Sequence, residues 1–151
     1  MQTLLQRRRR FRPIKPAGDA EFENAFKTAR VSKCHLARYY LSALENQSKG
    51  TGHPELVPNK NVNAVNLEHV LPENPQGEWP GLSSDVCAAY YRRIGNMALL
   101  AAVSNSKIGN LGFAKRKPTL VSSSFQLTKQ IGLGSSWGPG EIEKRQAELA
   151  K

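Results

Sequence analysis

The sequence predicts an α+β fold: a small ββα core of two short antiparallel strands and a helix, embedded in several flanking helices. Three observations predict it. Two apolar runs, 64–71 and 96–102, are short enough to be strands. A helical pattern follows the second run directly, so two strands and a helix can close into one compact unit. Segments with helical spacing account for most of the remaining chain. Such a ββα unit can hold a metal between a strand and a helix.

Each element has its own signal. Gly18 or Asp19 can start a helix reaching about Glu45, with Phe22, Phe26, Ala29, Leu36, Tyr40 and Leu44 at helical spacing. Lys33 interrupts that stripe, which marks a bend or an exposed stretch. Gly50, Gly52, Pro54 and Pro58 then punctuate a loop. Residues 64–71 alternate as a strand does, with Val65, Leu67 and His69 on one side. The Pro- and Gly-rich stretch 72–81 is loop. Ser83 or Ser84 can cap a short helix to Arg93 that buries Val86, Ala89 and Tyr90. Residues 96–102 read as a buried strand. A short helix over 104–110, capped by Ser104, and another from about Gly112 follow. Residues 125–131 are weakly helical. Gly138-Pro139-Gly140 breaks the chain before a last helix over 141–150, with acids in its first turn as the helix dipole favours.

The 151 residues suit a single domain over 19–151, preceded by a basic, flexible arm over 1–18. Hydrophobic residues at 39% and charged ones at 23% are a soluble globular composition, which argues against wholesale disorder. No window approaches the ~18 apolar residues of a membrane span, and no signal-peptide pattern opens the chain. The two cysteines, Cys34 and Cys87, form no disulfide framework and no metal knuckle, so a cytoplasmic, reducing setting is expected. Neither they nor His35 and His53 have zinc-finger spacing.

The net charge of +10 is unevenly spread. The arm carries Arg7, Arg8, Arg9, Arg10, Arg12 and Lys15 without an acid, a pattern that binds phosphates without sequence preference or simply solubilises a tail. Residues 86–140 carry Arg92, Arg93, Lys107, Lys115, Arg116, Lys117 and Lys129, again without an acid. A bias this long inside the folded part points to a surface facing a polyanion.

The strongest local signal is Glu68-His69-Val70-Leu71-Pro72, at the end of the first strand. A carboxylate oxygen suits Mg²⁺ or Mn²⁺, and an imidazole can take a proton from water near neutral pH. An isolated Glu-His pair is also common on protein surfaces. On a regular strand these neighbours point to opposite faces, so they share a site only where the strand twists or ends. The second segment is Gly95-Asn96-Met97-Ala98-Leu99-Leu100, followed by Asn105-Ser106-Lys107. An asparagine amide can fasten a loop through backbone hydrogen bonds, or bind a hard cation through its carbonyl oxygen.

Together these motifs resemble the HNH branch of the His-Me finger (ββα-metal) nucleases. The flanks narrow the resemblance: Arg38-Tyr39-Tyr40-Leu41 with Leu44-Glu45, then Trp79, Phe113-Ala114-Lys115, and the closing Trp137, Glu141-Ile142 and Arg145. They are similar to the C-terminal nuclease domain of GmrSD-type, modification-dependent (type IV) restriction enzymes, from about Phe22 to Leu149. The resemblance implies a metal-dependent endonuclease that nicks or cleaves DNA in defence against phage and other foreign DNA. It makes His69 the general base, Glu68 a metal ligand, Asn96 the residue that orients the histidine loop, and Asn105 the second metal ligand. Asn110 is a rival for Asn105, since both flank one short helix. One divalent ion, Mg²⁺ or Mn²⁺, would then suffice. Arg92, Arg93, Lys107, Lys115, Arg116 and Lys117 are the candidate DNA contacts, with the alternative for Lys107 and Lys115 of being solvated helix charges. Enzymes of this kind carry an N-terminal nucleotide-dependent sensing domain, so the expected partner is such a domain, excised or separate. A non-catalytic nucleic-acid-binding module and a nuclease acting on RNA are the competing readings.

Overall fold

The structure is a computed structural model and describes residues 18–50, 64–75 and 77–151, with only the backbone of Ser106 and Lys107. The basic arm, His53 and the loop over 51–63 lie outside the described residues. The order is α1 (Asp19–Phe26), α2 (Cys34–Ser48), β1 (Val65–His69), α3 (Ser84–Tyr91), a 3-10 turn (Ile94–Asn96), β2 (Met97–Ala101), α4 (Ala102–Ile108), α5 (Phe113–Val121), α6 (Gln126–Leu133) and α7 (Pro139–Leu149). This is the expected α+β class, with β1, β2 and α4 as the ββα unit. Among the described residues no helix is long and apolar enough to cross a membrane.

β1 and β2 pair antiparallel, with Val65 opposite Ala101, Leu67 opposite Leu99 and His69 opposite Met97. Two strands alone are marginal in water, so this hairpin depends on what covers it. Successive residues of β2 feed opposite sides: Ala98 joins a core with Val70, Leu71, Trp79, Phe113, Leu120 and Trp137, whereas Met97 and Leu99 join one with Ala37, Leu41 and Ile94. Burial on both faces is why the run 97–100 is apolar throughout rather than alternating. Thr128 of α6 fixes the outer layer by donating to the Leu99 carbonyl at 2.6 Å.

Three expectations need correction. The first helix is two helices, because 27–33 finds its backbone partners elsewhere. Val31 N donates to the Arg92 carbonyl at 2.8 Å, and Gln146 Nε2 donates to the carbonyls of Phe26 and Ala29 at 2.6 and 3.0 Å. Ser104 caps nothing, because α4 starts directly off β2: Ala102 N still donates to the Ala64 carbonyl, at 3.0 Å, and Ala101 is the cap position. α7 begins at Pro139, where a fixed φ and a missing N–H suit a first helical turn, rather than at Glu141. Ser83 does cap α3, its hydroxyl accepting from Val86 N at 3.3 Å.

α7 grips the 3-10 turn that carries Asn96. A Cβ at Gly95 would lie 2.4 Å from the Ile142 carbonyl oxygen and 2.8 Å from Gln146 Cβ, so only glycine allows the approach. Arg145 Nη1 donates to the carbonyls of Gly95 and Met97 at 2.7 and 2.9 Å, and Gln146 Oε1 accepts from Gly95 N at 3.2 Å.

Candidate active site

The site is built where β1 stops. Val70 N still donates to the in-register Asn96 carbonyl at 3.0 Å, and beyond it Leu71 N donates to the side chain, Asn96 Oδ1, at 2.8 Å. Asn96 Nδ2 donates to the carbonyls of Leu71 at 2.9 Å and Tyr91 at 3.2 Å. Trp137 Nε1 completes the set by donating to Asn96 Oδ1 at 3.0 Å. Two bonds given and two accepted use the whole capacity of a primary amide, at a residue with no solvent exposure. β1 ends at His69, with Glu68 directly before it. Both line one open cavity of about 500 Å³, together with Pro72, Glu73, Asn74, Tyr91, Asn105, Gly109, Asn110 and Arg116.

The His69 ring stacks on Tyr91, with centroids 4.1 Å apart and planes 20° from parallel. Burial lowers its pKa to about 4, and the nearby Arg92 charge pushes the same way. The imidazole is consequently neutral at neutral pH, with a lone pair free to accept a proton. Burial pushes the Glu68 carboxyl up to about 7, against the opposing pull of Arg116, whose Nη1 lies 2.6 Å from Glu68 Oε1.

Residues 17–151 match the profile of the GmrSD restriction endonucleases, C-terminal domain. The chain belongs to the GmrSD restriction endonuclease C-terminal domain family. No curated protein and no solved structure matches it. Membership makes the GmrSD-type domain part of a restriction endonuclease, a nuclease class whose substrate is DNA.

The cations of this GmrSD-type domain do not form one surface. Arg92 is exposed beside the cavity, with Nη1 3.4 Å from Ser32 Oγ. Arg93 is occupied inside the fold: Nε donates to Gln146 Oε1 at 3.1 Å, Nη2 to the Lys27 carbonyl at 2.5 Å, and the guanidinium lies over the Tyr90 ring. Lys115 is exposed but paired with Glu78 at 2.6 Å. Lys117 is half-buried, and the Lys107 side chain lies outside the described residues. Arg116, expected at a DNA surface, is 1% exposed. With Phe113 and Leu120 it forms the inward stripe of α5, so helical spacing turns it into the protein.

Among the described residues, no three His, Cys, Asp or Glu side chains gather as a metal cluster. The donors lining the GmrSD-type cavity are the carboxylates of Glu68 and Glu73 and the amides of Asn74, Asn105 and Asn110. An all-oxygen set of this kind fits a hard divalent ion and disfavours zinc. Asn105 and Asn110 both line the cavity, so the structure brings each within the same site as Glu68. Sequence reasoning missed Tyr91, Glu73 and Asn74. An aromatic at the end of α3, directly before Arg92, was the available signal for Tyr91. Trp137, part of the closing motif, is 8% exposed and anchors Asn96 itself.

Proposed function

We propose that the domain is an HNH-type, metal-dependent endonuclease that hydrolyses DNA phosphodiester bonds as the nuclease part of a restriction system. The observation that carries this reading is the pairing, in one cavity, of a neutral, half-buried His69 with Glu68, at a strand end pinned by Asn96. His69 accepts the proton of the attacking water. Tyr91 holds the imidazole plane, and Asn96 holds the turn that presents it. Glu68 and Asn105, with Asn110 as the rival, would hold one Mg²⁺ or Mn²⁺. Such an ion supplies positive charge to the phosphate oxygens as negative charge develops there. Arg92, beside the cavity, meets the DNA backbone, and Lys107 and Lys115 add phosphate contacts outside it.

A supercoiled-plasmid assay across Mg²⁺, Mn²⁺, Ca²⁺ and EDTA tests this reading. Nicked or linear product is expected with Mg²⁺ or Mn²⁺ and none with EDTA. Cleavage undiminished by EDTA contradicts metal dependence. Salt-sensitive binding with no product under any ion would make the domain a non-catalytic nucleic-acid-binding module.

A further inference from the structure

We propose that Arg116 is a positioning residue for the metal site, tying the strand end that carries Glu68 to the loop that carries Asn110. The assignment rests on the metal-dependent reading above. The basis is geometric. Arg116 Nη1 reaches Glu68 Oε1 at 2.6 Å and the carbonyls of His69 and Val70 at 3.1 Å each. Nη2 donates to the Gly109 carbonyl at 2.6 Å, and Nε to the Leu111 carbonyl at 2.6 Å. One planar guanidinium thus spans both walls of the cavity, one bearing Glu68 and His69, the other following α4 and its Asn105. The two walls are more than 40 residues apart in sequence, 48 from Glu68 to Arg116, and need a fixed spacing if they are to share a cation.

The chemistry matches the role. Arginine is always charged and presents a rigid fork, so it can hold a carboxylate oxygen and several carbonyls in one plane. Engaging Oε1 holds the Glu68 carboxylate in place, and its other oxygen would serve an ion. Lysine at this position keeps the charge but concentrates its donors at one point, so it cannot bridge the two walls. Groups that orient metal ligands in this way typically matter about 10–100-fold in metal affinity.

Two measurements decide the matter. In the wild-type protein, the Arg116 Nε–H resonance is followed by nitrogen–proton correlation NMR during Mg²⁺ titration. It should shift in step with binding, and a resonance that stays still at saturating Mg²⁺ overturns the assignment. In Arg116→Lys, shown to be folded by its melt, the Mn²⁺ dissociation constant from electron paramagnetic resonance should rise about 10–100-fold. The turnover rate at saturating Mn²⁺ should stay within about threefold of wild type, which separates positioning of ligands from loss of chemistry. A folded Lys variant with unchanged Mn²⁺ affinity overturns the assignment, and if that variant does not fold the wild-type titration alone decides. A wild type that binds no Mn²⁺ overturns the metal-dependent reading itself, and binding unchanged in Glu68→Gln overturns Glu68 as a ligand and with it the assignment of Arg116.

Discussion

At the residue scale, Glu68 and His69 sit in one cavity yet titrate in opposite directions, and this has a measurable consequence. The folded pKa of His69, about 4, lies below its ordinary 6.5, so between those values the unfolded chain holds more protons. Stability from His69 is present above 6.5 and is lost as pH falls toward 4. The folded pKa of Glu68, about 7, lies above its ordinary 4.5, so there the folded chain holds more protons. Stability from Glu68 is present below 4.5 and is lost as pH rises through 7. From 4.5 to 6.5 the two slopes oppose each other in the metal-free protein. Glu68→Gln removes one of them, so the variant's stability should rise with pH across that window more steeply than the wild type's. The difference should be at most about 1.4 kcal/mol per pH unit. Denaturant melts at several pH values check it, and parallel wild-type and variant profiles contradict it. The Glu-His pair was legible as a motif. That its two members share a cavity was not, because strand alternation sets neighbours on opposite faces and the rest of the cavity lining, Asn105, Asn110 and Arg116, lies far along the chain.

At the element scale, buried charges hold the structure together where composition alone reads them as surface. Glu45 is 1% exposed on the inward stripe of α2, with Ala37, Leu41 and Ser42. Its carboxylate accepts from Gln126 N at 2.6 Å and Leu127 N at 2.9 Å, the free amides at the start of α6, where no local side chain caps the helix. Glu45→Ala should lower stability by about 2 kcal/mol, the upper range for losing a helix cap, as a shifted denaturant midpoint. An unchanged midpoint would mean that α6 needs no such cap. Helical spacing already held this information. It places Glu45 beside Leu41, and Arg116 between Phe113 and Leu120, on buried faces. Charge counted along the chain, without that periodicity, assigned Arg116 to a DNA surface instead. The break between α1 and α2 was less readable, since its cause is backbone bonding to the Arg92–Arg93 segment and to Gln146, both distant in sequence. Elements with local signals, such as the Ser83 cap and the apolar β2, were legible; tertiary partners were not.

At the scale of the whole molecule, the net +10 divides into charges with different tasks. Arg93, Arg116 and Arg145 are turned to backbone carbonyls inside the fold. The cations proposed to meet DNA are Arg92 and Lys115, both exposed, with Lys107 and the six cations of the arm, whose side chains lie outside the described residues. Deleting residues 1–16 should therefore weaken DNA affinity and flatten its dependence on salt, by roughly one unit of log–log slope for each phosphate no longer neutralised. Metal-dependent cleavage should persist. Loss of cleavage in a folded deletion variant would assign the arm a part in the reaction. The central proposal is that His69 is the base of a metal-dependent nuclease, and one comparison reaches it without intermediates: plasmid cleavage and DNA binding by wild type and His69→Ala, side by side in Mg²⁺ or Mn²⁺. Cleavage should be abolished in the variant while DNA binding stays within about twofold, as expected for loss of a group acting only in the transition state. Full cleavage by a folded His69→Ala protein would contradict that role.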